Sequence, residues 1–185
     1  MCYNKWEVFM KTVVLNDNEL NDEEMDAVVV KARAVIVNSE NELYLSRYGG
    51  LYLLPGGKVE EDETLLFGLK RELSEEIGIV VKKDDFEPLV LIKHYIKDYP
   101  KRDTEQVYNR LNITYYYFLK SDKDINIDES NLTFNETKNN FKTIIVGIEK
   151  AKELVENNGS SNPRIEFYNR ELEIIFEMLN SSVAL

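Results

Sequence analysis

The chain concentrates glutamates in one short stretch, GGKVEEDETLLFGLKRELSEEIGI, which runs from Gly56 to Ile79. Glu72, Glu75 and Glu76 fall so close together that like charges three and four residues apart would repel on a helix, by about 0.2–0.5 kcal/mol per pair. Oxygen ligands in this number suit hard divalent cations such as Mg²⁺, Mn²⁺ or Ca²⁺, and a bound cation would turn the repulsion into attraction. The residue types therefore indicate a metal site.

A helix over about 63–77 would carry these glutamates on one edge. At about 100° per residue, the three carboxylates fall within an arc of roughly 100° beside an apolar stripe that should face the core. The stripe consists of Leu66, Leu69, Leu73 and Ile77. Asp62 or Thr64 can cap the start of the helix, and Gly78 suits the left-handed position just past its end.

Gly68 lies in the same arc as the glutamates, one turn before Glu72. A glycine inside a helix costs about 1 kcal/mol relative to alanine. It could be merely tolerated, or it could let a chain segment or ligand approach the carboxylates. A solvated acidic face also explains a lone E-x-x-E-E pattern, because glutamate is a good helix former.

Composition limits the class of protein. The 185 residues suit one domain, and the net charge of −11 argues against a broad nucleic-acid-binding surface. A nucleotide ligand stays possible, because a bound divalent metal inverts the local charge. Cys2 is the only cysteine, so a reducing cytoplasm is expected. No secretory signal or membrane span is expected, since the most apolar run, AVVVKARAVIV, contains Lys31 and Arg33.

The hydrophobic pattern predicts strands in the middle of the chain, with helices between and after them, and so a mixed α/β domain. Strands are predicted within 6–15 and at 27–37, 43–48, 86–96, 111–120 and 141–147, with a short one in LYLLPGG that ends at Pro55 and the glycine pair. Besides 63–77, helices are predicted at 148–158 and 164–180. Residues 121–140 are predicted to be a loop with room for one helical turn.

The spacing from Gly57 to Ile79 resembles a known family motif. Gly57, Glu63, Arg71-Glu72-Leu73, Glu75-Glu76 and Gly78-Ile79 fill every fixed position of G-x5-E-x7-R-E-U-x-E-E-x-G-U, where U is a bulky aliphatic residue. This pattern is the Nudix box. The resemblance implies an α/β/α sandwich around a mixed β-sheet, with residues 27–180 as the Nudix domain. Residues 1–26 lie outside the match and are expected to form a strand-like extension packed on the domain, and 181–185 to form a tail.

The same resemblance implies roles for individual residues. Glu72, Glu75 and Glu76 would bind Mg²⁺ or Mn²⁺, joined by the carbonyl of Gly56 or Gly57. Glu63 and Arg71 would form a salt bridge that braces the loop against the helix, and Lys58 would lie close to the substrate phosphates.

The general base differs within the family, so it stays open here. It is either a glutamate of the box or one from a later loop. Glu136 is the first later candidate, followed by Glu105 and Glu129. Thr133-x-x-Glu136 is also the pattern of a helix capping box, which is an alternative role for Glu136.

The expected activity is metal-dependent hydrolysis of a nucleoside diphosphate linked to another moiety. Markers that accompany the ADP-ribose, dinucleoside polyphosphate, NADH and coenzyme A types are not reproduced. Nucleoside triphosphates, with or without base oxidation, and nucleotide sugars stay open, and of these the interpretation favours a nucleoside triphosphate. The alternative is a Nudix-like domain that binds a nucleotide without hydrolysing it. The N-terminal segment and the C-terminal helix could each supply a homodimer contact.

Overall fold

The computed structural model describes residues 10–101, 104–126 and 130–182. The strands are β1 (Lys11–Leu15), β2 (Ala27–Val37), β3 (Glu42–Tyr48), β4 (Leu51–Leu53), β5 (Gly56–Lys58), β6 (Phe86–Pro100), β7 (Val107–Lys120) and β8 (Lys142–Gly147). The helices are α1 (Leu65–Ile77), α2 (Phe134–Lys138), α3 (Ile148–Glu156) and α4 (Ile165–Ser182). None of the described helices is both long and apolar enough to cross a membrane.

The described residues form two compact units. The first contains the described residues within 1–35, 56–73 and 80–119, and the second contains those within 36–55, 74–79 and 120–185. Both β2 and α1 contribute residues to each unit.

Strands β1, β6, β7 and β2 lie side by side in the first unit, in that order, and β5 also pairs with β2. Strand β1 runs parallel to β6, whereas β6 and β7 form a long antiparallel pair. In the second unit the end of β2 pairs with β3, which is antiparallel to both β4 and β8. The sheet is therefore mixed, and the predicted α/β class is confirmed.

The predicted elements are present, with two differences. Strands β6 and β7 are longer than predicted, extending to Pro100 and starting at Val107. The glycine pair also does not end the extended chain, because Gly56–Lys58 forms β5. The strand predicted within 6–15 is found at Lys11–Leu15, while 6–9 lie outside the described residues. For the same reason the packing of 1–26 as a whole stays a prediction.

Helix α1 buries the predicted stripe. Leu69, Leu73 and Ile77 are fully buried, and Leu66 is half-buried. At full burial each such side chain contributes about 1.5–3 kcal/mol relative to exposure, so the stripe anchors the helix that carries the glutamates.

Both ends of α1 are set by local chemistry. The Thr64 hydroxyl accepts a hydrogen bond from the Phe67 N–H (3.3 Å), as predicted for a cap. At the other end Gly78 has a φ of +66° and donates its N–H to the Ser74 carbonyl (3.1 Å). A side chain at Gly78 would place its Cβ 2.2 Å from the Asn126 carbonyl oxygen. Only glycine fits here, for both conformational and steric reasons.

We expect Gly78→Ala to lower the free energy of unfolding by at least about 1 kcal/mol, because alanine is disfavoured at positive φ and its Cβ meets Asn126. The measurement is urea denaturation followed by circular dichroism. Gly159→Ala is the matched control, since a Cβ at Gly159 meets nothing within 4 Å. Equal losses in both variants would show that the left-handed turn at Gly78 is not specifically required.

Candidate active site

The loop that leads into α1 begins with β5, which is held against β2. Gly56 pairs with Arg33 and Gly57 with Ala32. Gly56 has a φ of +119°, and a Cβ there would lie 2.4 Å from the Ala32 carbonyl oxygen. The buried guanidinium of Arg33 donates from Nη1 to the Gly56 carbonyl (2.8 Å). A charged side chain thus holds the backbone of the glycine pair in place.

Gly57 brings this backbone against the first glutamate of the cluster. A Cβ at Gly57 would lie 2.6 Å from the Glu72 carboxyl carbon. No other residue type leaves room for that carboxylate in its observed position. The sequence interpretation treats this glycine as a fixed position of the motif, and the structure supplies the steric reason.

Arg71 connects the loop to the helix through several hydrogen bonds. Its Nε donates to Oε1 of Glu63 (2.6 Å) and its Nη2 to Oε2 (3.0 Å), so the expected salt bridge is present and bidentate. Its Nη1 donates to Oε1 of Glu72 (2.9 Å), and Nη2 also reaches the Lys58 carbonyl (3.3 Å). Charge-assisted bidentate pairs of this kind are stronger than neutral hydrogen bonds.

Glu63 is tightly enclosed by its partners. The Arg71 hydrogen bonds, aided by the Glu60 N–H (3.1 Å), hold the pKa of the Glu63 carboxyl below its ordinary value despite burial, which acts in the opposite direction. A Cβ at Gly68 would lie 2.9 Å from Oε2 of Glu63. The mid-helix glycine therefore makes space for the loop carboxylate, which is the chain-segment alternative that the sequence left open.

Three half-buried carboxylates lie close together, and one of them, Glu72, contacts Arg71. Glu72 and Glu76 lie one turn apart on α1 and present oxygens within 4.8 Å of each other. Glu136 on α2 presents an oxygen within 4.8 Å of that of Glu76. We call Glu72, Glu76 and Glu136 the carboxylate group. Glu75 is not a member, and its role as a metal ligand stays a prediction.

Glu136 has both of the features that its sequence context indicates. Its Oε2 accepts a hydrogen bond from the Thr133 N–H (2.6 Å), and its own N–H donates to the Thr133 hydroxyl (3.3 Å). These bonds complete a capping box at the start of α2. Glu136 therefore both caps α2 and lies close to Glu76. Of the other base candidates, Glu105 is an exposed residue between β6 and β7, and Glu129 lies outside the described residues.

The chain before α2 is attached to the end of α1. The Asn126 N–H donates to the Ile77 carbonyl (3.0 Å) and the Asn131 N–H to the Glu75 carbonyl (2.8 Å). These carbonyls belong to the last turn of the helix, where no intrahelical partner is available. Two backbone hydrogen bonds thereby satisfy the helix end and position the segment that carries Glu136.

The Lys58 side chain is exposed to solvent, unlike that of Arg71. Its ammonium group lies 3.2 Å from Oε2 of Glu60, and the side chain is largely exposed. Such a surface ion pair contributes little and is easily exchanged for another anion. The role of Lys58 in binding phosphate stays a prediction.

Two contributions to the site were not predicted. Arg33 was interpreted only as a charge interrupting an apolar run, although a buried arginine in a strand signals a buried acceptor nearby. No sequence signal predicts the backbone hydrogen bonds of Asn126 and Asn131, because an N–H group in a polar loop can donate to any carbonyl within reach.

The family is established by comparison with known protein families. The model of the NUDIX domain matches residues 27–161, which is more than half of the chain. The chain belongs to the Nudix family. Nudix proteins generally use divalent metal ions, and the carboxylate group consists of the oxygen donors that such ions prefer.

Curated relatives match part of the chain. An 8-oxo-dGTP diphosphatase of Buchnera aphidicola subsp. Acyrthosiphon pisum is 35% identical over 85 residues, covering 44% of this chain and 57% of the relative. An 8-oxo-dGTP diphosphatase of Proteus vulgaris is 36% identical over 77 residues, covering 38% of this chain and 64% of the relative. The chain thus spans less than two thirds of the length of each.

Solved Nudix-type structures resemble the chain at low identity. The MutT protein of Methanosarcina mazei Go1 is 22% identical with a TM-score of 0.48, covering 78% of this chain and 95% of that one. The mutator MutT protein of Bacillus halodurans is 21% identical with a TM-score of 0.47, covering 68% and 72%.

The Glu63–Arg71 pair predicts a pH dependence of stability. Because the folded-state pKa of Glu63 is lowered, its contribution is fully present above the ordinary carboxyl value of about 4.5 and is lost as the pH falls through the lowered value. We expect Glu63→Gln to be less stable than the unchanged protein near pH 7, with the difference shrinking below about pH 4.5. Urea titrations across this range measure the difference.

Glu61→Gln is the control for that experiment, because Glu61 is exposed on the same loop. It should leave the pH profile of stability nearly unchanged. A Glu63→Gln deficit of constant size at every pH would contradict a role for the ionised pair.

Proposed function

We propose that the protein is a divalent-metal-dependent Nudix hydrolase that cleaves the phosphoric anhydride bond of a nucleoside diphosphate derivative. The observation that carries the proposal is the carboxylate group, in which Glu72 and Glu76 of the complete Nudix box lie close together and Glu136 lies close to Glu76. A domain that only binds a nucleotide does not require clustered glutamates, which repel one another.

The donor set supports Mg²⁺ or Mn²⁺ as the ion. Carboxylate oxygens of Glu72 and Glu76 would hold it, with Glu75 and the Gly57 carbonyl as further proposed ligands. The Gly56 carbonyl is a weaker choice, since it already accepts from Arg33. A bound divalent ion would neutralise phosphate oxygens and lower the pKa of bound water.

The protein's own residues would prepare in-line attack of water on phosphorus. Glu136 is the proposed general base, because Oε2 is oriented by the Thr133 N–H and Oε1 is left to take the proton. The water oxygen forms the new bond to phosphorus while the anhydride P–O bond breaks. The electron pair of the broken bond leaves with the departing phosphate. Arg71 supports this arrangement by holding Glu72 and the loop in place.

Lys58 and the glycine pair would bind the phosphate chain. Lys58 would exchange its exposed partner Glu60 for a phosphate oxygen. The glycine backbone lets the substrate approach without a Cβ in the way. The positions of Gly57 and Glu72, in near contact, would bring the phosphates and the carboxylates together.

A nucleoside triphosphate is the proposed substrate class. Elimination of other Nudix types favours it, and the curated relatives named 8-oxo-dGTP diphosphatase support it. A homodimer is a separate proposal that sedimentation would test.

We expect Glu76→Gln to reduce turnover by at least about 100-fold, because it removes a charged oxygen from the carboxylate group. Glu75→Gln should also impair activity because it removes a proposed ligand, and Glu136→Gln should lower kcat because it removes the proposed base. Phosphate or pyrophosphate release in the presence of Mg²⁺ measures all three.

Glu149→Gln provides the matched control, since Glu149 lies on α3 and is exposed. Its activity should equal that of the unchanged protein. Full activity in both Glu75→Gln and Glu76→Gln, with normal circular dichroism, would reject the metal assignment.

Hydrolysis itself is tested with a panel of nucleotide derivatives: nucleoside triphosphates with and without base oxidation, nucleotide sugars and ADP-ribose, each with Mg²⁺ or Mn²⁺. We expect product from at least one triphosphate and none after chelation with EDTA. Binding of a nucleotide without any product would instead favour a regulatory Nudix domain and reject the proposed activity.

A further inference from the structure

Arg33 is a cation in the buried interior of strand β2. It is only 7% exposed, and its neighbours Ala32 and Ala34 are fully buried. A charged residue is almost never buried to this extent unless it is paired, because removing a charge from water is costly. An arginine at this position therefore requires a buried acceptor.

The Gly56 carbonyl is such an acceptor. Nη1 of Arg33 donates to it at 2.8 Å, and the two residues lie opposite each other in the pair of β2 and β5. The Gly56 carbonyl and the Gly57 N–H belong to one planar peptide unit, so a hydrogen bond that fixes the carbonyl also orients the peptide between the two glycines. Glycine has the greatest backbone freedom of any residue, and this bond restricts it.

A second arginine holds the chain on the other side of Gly57. Nη2 of Arg71 donates to the Lys58 carbonyl at 3.3 Å. The carbonyls of the residues before and after Gly57 thus each accept a hydrogen bond from a guanidinium group. Both arginines and all of β5 belong to the first compact unit. Two side chains from different elements therefore determine where Gly57 lies.

The Glu72 carboxylate packs against Gly57. A Cβ on Gly57 would lie 2.6 Å from Oε2 and 2.7 Å from Oε1 of Glu72, so both carboxylate oxygens lie close to this backbone. Nη1 of Arg71 also donates to Oε1 (2.9 Å). Rotation of the peptide that precedes Gly57 would move the backbone that bounds the carboxylate, and would thereby change the position of the oxygens.

We propose that Arg33 is a positioning residue that sets the affinity of the site for its divalent ion. It acts through the Gly56–Gly57 peptide on the Glu72 carboxylate, and it does not itself bind the ion. This inference rests on the proposed function, in which Glu72 is a metal ligand. Removing a group that orients a metal ligand typically lowers metal affinity by about 10- to 100-fold.

Titration of the protein with Mn²⁺ in the absence of nucleotide tests the proposal, with the free ion measured by electron paramagnetic resonance. Arg33→Met replaces the guanidinium by an apolar group, and we expect its Kd for Mn²⁺ to rise by about 10- to 100-fold. Arg33→Lys keeps a donor and should recover part of the affinity. The kcat of Arg33→Met should approach that of the unchanged protein once the Mn²⁺ concentration exceeds the raised Kd.

Arg110→Met is the matched control. Arg110 is a half-buried arginine of the same unit that donates from Nε to Oδ1 of Asn112 (2.7 Å) and lies over the Tyr99 ring, in contact with β7 and β6. Its removal should leave the Kd for Mn²⁺ unchanged. Glu76→Gln should abolish the tight binding of Mn²⁺, which assigns that binding to the carboxylate group.

If circular dichroism shows that Arg33→Met does not fold, Arg33→Gln replaces it with the same expected rise in Kd, because the shorter side chain does not reach the position of Nη1. An unchanged Kd in either folded variant would overturn the role of Arg33 and leave the hydrolase intact. An equal rise in Arg110→Met would also overturn that role. Failure of the unchanged protein to hydrolyse any nucleotide while it binds Mn²⁺ would instead reject the proposed function.

Discussion

The guanidinium of Arg71 joins the elements on which the site depends. It bonds Glu63 in the loop, Glu72 on the helix and the Lys58 carbonyl at the end of β5. It also places positive charge beside glutamates that would otherwise only repel one another. One planar donor group thus fixes geometry and offsets charge at the same time, which a lysine with its single compact ammonium could not do.

Steric room at backbone positions is the second requirement. Gly57 accommodates the Glu72 carboxylate, and Gly68 accommodates that of Glu63. The apolar side of α1 is meanwhile fully buried at Leu69, Leu73 and Ile77. The buried stripe therefore fixes the helix. Its acidic edge can pack against the loop because neither Gly57 nor Gly68 carries a side chain.

Local signals made much of this predictable. The stripe and the cap at Thr64 predicted α1 to within two residues at its start, and the resemblance to the Nudix box implied the Glu63–Arg71 pair. Strand β5 was missed because a glycine pair normally indicates a turn, whereas here pairing with β2 decides its conformation. Membership of Glu136 in the carboxylate group depends on how a loop returns to the helix, which is a tertiary property that no local pattern contains.

The two backbone hydrogen bonds from Asn126 and Asn131 have a consequence for local stability. They end on the Ile77 and Glu75 carbonyls, so the last turn of α1 and the segment leading to α2 hold each other in place. Opening of that turn would release both amides at once. Their protection against hydrogen exchange with solvent should therefore rise and fall together, as one cooperative unit that also includes the amide of Gly78.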